Sequence, residues 1–265
     1  MDGVAWATVI AQGLSFIVSV LYLNKTHDIF KTNFLKLKFN REIFRQILRI
    51  GLPSGVQQSL VSLGLMFMSG VVNGFGTAVM AGYAAASRID SFVGMPAMNI
   101  GNALSSFTGQ NIGAGKFDRV KRGYHAALKI GLSISVVLMA VLFFGGEMLI
   151  GIFTHDTEVV RVGAEYLRVI APFYFLFTIM FVTNGVIRGS GEAVLPMVST
   201  IMAMWVVRIP CAVIFSRLWG VTGVWFAMPT GWLMGLLISV IYYKSGRWMK
   251  KRIIRTPAVP EEGDL

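Results

Sequence analysis

The sequence predicts an all-α membrane protein, a polytopic bundle of about seven transmembrane helices. Three observations lead to this fold class. Seven apolar stretches fill most of the 265 residues, the chain is 55% hydrophobic and only 14% charged, and lysine and arginine gather in the gaps on one side of the stretches. A soluble domain carries roughly 25% charged residues. A hydrocarbon core of ~30 Å takes about 20 apolar helical residues, and a helix satisfies its own backbone hydrogen bonds there.

The apolar stretches give the elements in chain order. We predict helices at 4–23, 52–72, 79–108, 123–144, 160–187, 194–218 and 221–243. The third and the fifth are longer than one crossing requires, so we expect them to tilt, bend or run past the interface. The external loop predicted after the fourth helix offers Thr154 or Asp156 as an N-cap for the fifth.

Two basic segments flank these helices. In 24–50, the stretch 40–50 has apolar residues at helical spacing opposite three arginines, namely Phe44, Ile47 and Leu48 opposite Arg41, Arg45 and Arg49. This pattern is typical of an amphipathic surface helix, and a linker between two helical bundles is equally compatible with it. The C-terminal segment 244–265 is basic at first, and then has a proline-containing, acidic end at 256–265 that we expect to be disordered.

The distribution of positive charge predicts the orientation in the membrane. Of the 24 lysines and arginines, 18 fall in the connector, the two gaps after the third and fifth helices, and the tail, which all lie on one side. The positive-inside rule then places the C-terminus in the cytoplasm of a multi-pass protein of the plasma (inner) membrane. Seven crossings put the N-terminus outside although no cleavable signal precedes it, which suggests that an upstream portion is missing.

Several other functions are disfavoured. A net charge of +11 permits nucleic-acid binding, but the charge lies in short loops beside apolar helices. His27, His125 and His155 are far apart, so we expect no metal site. The single Cys211 excludes an intrachain disulfide. The glycines of 109–115 lack the spacing and the Ser or Thr of a phosphate loop, and are better read as a helix end. No catalytic grouping is present, so we expect neither an enzyme nor a cofactor.

Three charged residues lie deep within predicted helices: Arg88 and Asp90 in the third, and Arg208 in the sixth. Charges at this depth are costly and usually face a cavity or a partner. Arg88 and Asp90 are two residues apart and point to nearly opposite sides of their helix, so each needs a partner elsewhere, and Arg208 reaches a depth suited to Asp90. The group is either a buried ion pair that fixes helix packing or an ion-coupling site, and both interpretations stay open.

Six polar or aromatic residues could line a substrate cavity, namely Gln57, Gln58, Asn99, Tyr174, Asn184 and Trp205. The alternative for each is interhelical hydrogen bonding, which stabilises a membrane bundle by ~0.6 kcal/mol per bond on average.

Short motifs in chain order carry a resemblance to a known family. They are GLPS at 51–54, SRID at 87–90, GQNIGAG at 109–115, RGSGE at 188–192, WVVRIP at 205–210 and GVW at 223–225. Together they resemble the multidrug and toxic compound extrusion (MATE) family, in particular its DinF-like branch and the C-terminal half of its members. The resemblance covers most of 51–248.

The resemblance implies a fold of twelve helices in two six-helix lobes. The chain would then supply the last helix of the first lobe (1–23), a connector (24–50), the whole second lobe (51–243) and a tail (244–265). By the same resemblance it would export organic, often cationic, compounds in exchange for H+ or Na+, with the lipid bilayer and the missing N-terminal lobe as further partners. The acids that the sodium-coupled branch carries in the second and fifth helices are absent from 52–72 and 169–187, which leaves Asp90 as the deep acid.

Two alternatives to an exporter remain open. A flippase for lipid-linked saccharides is built on a related bundle and tends to carry cationic residues in its central cavity. The chain could also be an inactive, truncated product or one half of a split transporter.

Overall fold

The computed structural model describes residues 2–26 and 39–250, and confirms the all-α fold class. The described helices are α1 (Asp2–Thr26), α2 (Arg41–Asn73), α3 (Thr77–Gly113), α4 (Phe117–Gly151), α5 (Thr157–Ile170), α6 (Tyr174–Gly189), α7 (Val194–Ile201) and α8 (Ile209–Lys244). The predicted disordered tail at 256–265 and His27 lie outside the described residues. The chain divides after Arg45 into two compact units, 1–45 and 46–265, and the site described below lies in the second.

Five helical stretches are long and apolar enough to cross a membrane. They are Trp6–Thr26, Arg41–Asn73, Phe117–Gly151, Thr157–Gly189 and Val194–Lys244. The last is 51 residues long and is broken at Gly220, where φ is 60° and ψ is −141°, so it supplies two crossings. The 37-residue α3 is not among the five by hydropathy. Counting α3 and the two parts of Val194–Lys244, the segments agree roughly with the seven predicted.

The amphipathic stretch 40–50 is not a separate helix. It continues into the second predicted span as the 33-residue α2, because nothing in the sequence stops the helix before Pro53. Asn40 caps its start, since Asn40 Oδ1 accepts hydrogen bonds from the backbone N–H groups of Glu42 (2.9 Å) and Ile43 (3.1 Å). Pro53 lies inside this helix, where it removes one backbone donor without ending the helix.

The fifth and sixth spans are both interrupted. A 3₁₀ turn at Ala171–Phe173, which contains Pro172, separates α5 from α6. A π-helical segment, Met202–Arg208, joins α7 to α8. Such wide turns occur mostly inside α-helices and frequently at functional sites. Both interruptions border the cavity described below.

The helix ends follow the local sequence. After α3, Gly115 adopts φ of 72° and the Lys116 N–H bonds to the Asn111 carbonyl at 2.7 Å, which confirms that the glycine-rich motif closes a helix. Asp156 caps α5 by accepting from the N–H groups of Glu158 and Val159. The loop predicted to begin at Gly145 was placed too early, because α4 stays helical to Gly151.

The tightest packing lies between α3, α5, α6 and α8. Tyr83, Tyr166 and Trp225 form a buried aromatic trio in which the Tyr83 and Trp225 rings stack at 5.7 Å and Tyr166 meets Trp225 edge-on at 5.0 Å. At Gly101 of α3 and Gly185 of α6 the two backbones lie in direct contact, so no side chain fits between them. Small residues of this kind let helices approach closely in a membrane.

Candidate functional site

A cavity of about 430 Å³ opens between α2, α3, α6, α7, the π-helical segment and α8. It has polar side chains from α2 (Ser54, Gln57, Gln58), aromatic and apolar ones from α6 and α8 (Phe177, Phe181, Met228, Trp232), and three charged ones (Asp90, Arg188, Arg208). A larger depression of about 620 Å³ near Phe215 and Phe226 carries two threonines as its polar groups and no charge. Specific ligand sites combine an apolar lining with a few convergent polar groups, so the smaller cavity is the candidate site.

Asp90 is the carboxylate of this cavity. It projects from α3 and accepts a hydrogen bond from the Tyr174 hydroxyl. Tyr174 is the first residue of α6, directly after the 3₁₀ turn, and its ring packs on Trp232 with centroids 5.3 Å apart. The 3₁₀ turn in the fifth span therefore sets the position of the hydroxyl that donates to Asp90.

Arg208 is the last residue of the π-helical segment. Its side chain is 7% exposed, and its Nη1 approaches the Met204 sulfur at 3.6 Å. Nε and Nη2 have no hydrogen-bond partner among the described residues. No ion pair within 4.0 Å joins Arg208 to Asp90 in the described part of the chain.

Arg188 supplies a second cation at the other end of α6. It lines the cavity and is partly buried, and its Nε has no hydrogen-bond partner within residues 2–26 and 39–250. Two arginines and one aspartate are the charged residues of the lining, so the lining carries a net positive charge.

The structure brings together some of the predicted site residues and separates others. Asp90, Arg208, Tyr174, Gln57 and Gln58 all line the cavity. Gln57 also donates from Nε2 to the Thr200 hydroxyl at 2.7 Å, which ties α2 to α7. Trp205, in the π-helical segment, makes a second hydrogen bond to α2.

Four predicted residues lie elsewhere. Arg88 and Asn99 are exposed and do not line the cavity; Arg88 points away because it is two residues from Asp90 on one helix. Asn184 is buried and accepts from the Ser239 hydroxyl at 2.8 Å. The Trp205 indole N–H donates to the Leu60 carbonyl at 3.1 Å. Any role of these four in transport stays a prediction.

Sequence reasoning missed Arg188 as a cavity residue, although a signal was present. Tyr174, Phe177, Phe181 and Arg188 recur at helical spacing along α6 and all line the cavity. The same holds on α3 for Asp90 and the residues four, eight and twelve positions later, which are Gly94, Met98 and Asn102. Reading the stripe that contains Asp90 or Tyr174 would have found these residues.

Metal binding finds no support in the described part of the chain, which holds no group of three or more His, Cys, Asp or Glu side chains able to share an ion. The cavity chemistry there comes from one carboxylate, two guanidinium groups and the hydroxyl and amide groups around them.

The fold and the cavity define a helical membrane protein with a charged cavity between its helices. The MatE family model matches residues 53–214, and the chain therefore belongs to the MatE family. Proteins of this family are transporters and not enzymes.

Relatives with curated names support this assignment. The chain is 31% identical over 251 residues to the "Probable multidrug resistance protein YpnP" of Bacillus subtilis (strain 168). The matched region covers 95% of this chain and 56% of that protein. It is 26% identical over 221 residues to the "Probable multidrug resistance protein NorM" of Thermotoga maritima, covering 83% of this chain and 48% of the relative. The chain thus spans about half the length of the curated relatives it matches.

Solved structures show the same fold. A structure described as the outward-facing conformation of a multidrug resistance MATE family transporter of the MOP superfamily superimposes with a TM-score of 0.85 at 23% identity, over 94% of this chain and 57% of that one. A crystal structure of MATE in the bent conformation gives a TM-score of 0.84 at 24% identity, over 94% and 56%.

Proposed function

We propose that this chain is the second lobe, with one preceding helix, of a secondary active transporter that exports organic compounds in exchange for H+ or Na+. Membership of the MatE family and the charged cavity support the proposal. In this scheme 1–23 ends the first lobe, 24–50 connects the lobes, 51–243 forms the second lobe and 244–265 is a cytoplasmic tail. A transporter of this kind works by rocking one repeat against the other, so the first lobe is a required partner.

We place the protein in the plasma membrane with its C-terminus in the cytoplasm. The charge distribution between the helices supports this orientation, because cytoplasmic loops carry the excess of lysine and arginine. Bacterial relatives named as multidrug resistance proteins fit an inner-membrane location. The test introduces a single cysteine directly after Lys244 in a Cys211→Ser background and labels it with a membrane-impermeant thiol reagent. We expect labelling only after the cells are permeabilised, and labelling of intact cells would reverse the orientation.

The coupling step that the geometry supports best is protonation of Asp90. A charged carboxylate within the membrane is costly, and adding a proton removes that charge. The hydrogen bond from Tyr174 then loses its ionic acceptor, and Tyr174 is the residue that begins α6 after the 3₁₀ turn. Protonation would change the charge that α3 presents to the cavity, and so bias the packing of the facing helix α2 and the side to which the cavity opens. We favour H+ over Na+, because hard cations take several oxygen ligands and Asp90 is the sole carboxylate lining the cavity among the described residues.

The test uses the transporter that carries this chain with its first lobe, produced in cells that lack other efflux pumps. Efflux of a fluorescent dye such as ethidium is followed as the external pH is varied. We expect Asp90→Asn to abolish the pH dependence and to slow efflux at least tenfold. Asp118→Asn is the matched control, because Asp118 is exposed in the first turn of α4 and should leave efflux unchanged. Normal, pH-dependent efflux in Asp90→Asn would remove Asp90 from the coupling step.

One observation keeps a second function in view. Arg188 and Arg208 face the cavity, as a flippase for lipid-linked saccharides would require for the phosphate groups of its substrate. Accumulation of lipid-linked precursors after depletion of the protein, with no change in dye efflux, would favour the flippase. If neither changes, the chain is an inactive product; one half of a split transporter would still lower efflux or raise precursor levels when depleted.

A further inference from the structure

Arg208 holds more hydrogen-bonding capacity than the protein uses. A guanidinium carries five N–H donors, and buried donors in folded proteins are almost always paired. Arg208 is 7% exposed, and its Nε and Nη2 are unpartnered within the described residues. Its Nη1 contacts a thioether sulfur, which is a weak acceptor. The pairing that would offset the burial of this charge is therefore not supplied by the residues described.

Asp90 does not supply the missing hydrogen-bond partner of Arg208. The carboxylate already accepts the Tyr174 hydroxyl and forms no direct ion pair with Arg208 in the described structure. Arg188 adds a second cation to the same cavity, again with a buried Nε that lacks a partner in the described ranges. An anionic group beside Arg208 would meet its unpaired donors, in a cavity whose three charged side chains sum to a net positive charge.

The apolar side chains of the cavity determine what kind of molecule can carry the anionic group. Phe177, Phe181, Met228 and Trp232 give the cavity an apolar and aromatic surface, and about 430 Å³ lies within the usual range for small-molecule sites. We propose that this cavity binds an organic anion, an aromatic or aliphatic body bearing a carboxylate, sulfonate or phosphate that Arg208 holds, while Arg188 adds positive charge to the same cavity. The inference rests on the proposed export function and departs from the expectation of a cationic substrate.

The experiment measures binding to this chain in nanodiscs of phosphatidylcholine. The probes are naphthalene-2-sulfonate and the matched cation (2-naphthylmethyl)trimethylammonium, titrated by isothermal calorimetry. We expect the sulfonate to bind at least tenfold more tightly than the ammonium. Loss of a hydrogen-bonded charge at a buried site corresponds to about a 10- to 100-fold rise in Kd, so Arg208→Gln should weaken sulfonate binding by that factor. Arg188→Gln should weaken it less.

Arg217→Gln is the control, because Arg217 is exposed and does not line the cavity, and its sulfonate affinity should match that of the unchanged protein. Arg208→Lys keeps the positive charge and should retain the preference for sulfonate over ammonium with reduced affinity. It therefore tests the proposal if Arg208→Gln fails to elute as a monodisperse species. Equal binding of the two probes, or full sulfonate affinity in Arg208→Gln, would overturn the anion site.

A second arm separates a soluble anion from a lipid phosphate, which share the same chemistry. If a lipid headgroup occupies the site, nanodiscs containing phosphatidylglycerol should lower sulfonate affinity several-fold in the unchanged protein and not in Arg208→Gln. Unchanged affinity assigns the site to soluble anions. Efflux by the transporter that carries this chain with its first lobe separates the two proposals. Sulfonate binding without efflux of either ethidium or naphthalene-2-sulfonate leaves the anion site and removes the exporter, whereas ethidium efflux without sulfonate binding does the reverse.

Discussion

The helices around α6 and the helix α2 differ sharply in how they are held. In the stretch Thr157–Gly189, 67% of the most apolar window is buried, against 17% in α2. The first region packs through backbone contact at Gly101 and Gly185 and through the aromatic trio around Trp225. By comparison, α2 is fastened by a few side-chain contacts, among them Gln57 with Thr200 and Trp205 with Leu60.

Because the two regions are held differently, one bundle can keep a cavity in place and still allow the cavity to change shape. Two helices whose backbones are in contact cannot slide past each other without collision. Closely packed interiors of this kind resist gradual deformation. A helix joined through a few side chains can shift at lower cost. We therefore interpret α3 and α6 as the fixed wall that presents Asp90 and Arg188, and α2 as the wall that can move.

Removing an aromatic ring should separate the two regions most clearly. Trp225 is 1% exposed and contacts Tyr83 and Tyr166, so Trp225→Ala should lower the free energy of unfolding by about 3–5 kcal/mol. Trp205 is partly buried and pairs edge-on with Phe67 at 5.3 Å, so Trp205→Ala should cost about 1–2 kcal/mol. Unfolding by SDS in mixed micelles measures both.

Trp225→Phe is the control for that comparison. The Trp225 indole N–H is buried without a hydrogen-bond partner in the described part of the chain, so a phenyl ring should retain most of the stability. If Trp205→Ala proves as damaging as Trp225→Ala, α2 is held as firmly as the rest and the proposed division is wrong.

A single methyl group tests the backbone contact. A Cβ on Gly185 would collide with the Gly101 carbonyl, so Gly185→Ala should destabilise the protein by about 1–3 kcal/mol through overpacking. The same change at Gly70 in α2 meets nothing within 4 Å, and alanine is the better helix former by roughly 0.5–1 kcal/mol. The thermal unfolding midpoint should therefore fall for Gly185→Ala and hold or rise for Gly70→Ala. Two changes of the same sign and size would contradict this account.

Much of the fold could be predicted because membrane crossings are set by length and apolarity. The limits of α3, α4 and α8 shifted outward, since helices continue beyond the hydrocarbon core wherever no breaker intervenes, as α4 does to Gly151. The π-helical segment Met202–Arg208 was beyond prediction. Its residues are as apolar as those of the neighbouring α-helices, so no sequence signal marks the segment, which arises from how α7 and α8 are packed.

The candidate site could be predicted in part for the same reason. Asp90 and Arg208 were found because a charge in an apolar run is conspicuous. That Tyr174 bonds to Asp90 depends on the 3₁₀ turn that orients α6, and that Arg208 avoids a direct pair with Asp90 depends on the π-helical segment. Asn184 and Trp205 met partners in other helices, and composition alone does not distinguish such contacts from cavity positions.

The smallest effects should come from single hydrogen bonds, one in each region. In the packed region the Ser239 hydroxyl donates to Asn184 Oδ1 at 2.8 Å, and Ser239 is 0% exposed. In the α2 region Gln57 donates to Thr200 at 2.7 Å beside the cavity. Double-mutant cycles with Ser239→Ala and Asn184→Leu, and with Thr200→Val and Gln57→Leu, measure each coupling free energy from SDS unfolding.

Interhelical hydrogen bonds in a membrane contribute about 0.6 kcal/mol on average and up to about 1.7 kcal/mol. We expect the Asn184–Ser239 coupling near the upper figure, because both residues are buried away from water and Asn184 Oδ1 loses its hydrogen-bond donor when Ser239 is removed. Ser239 itself keeps the Gly235 carbonyl and the Ser199 hydroxyl as partners when Asn184 is removed. The Gln57–Thr200 coupling should lie near the average or below, since Gln57 lines a cavity where water can replace Thr200. The reverse order would mean that α2 is fixed by its polar contact, and the moving wall of the cavity would then have to be sought in another helix.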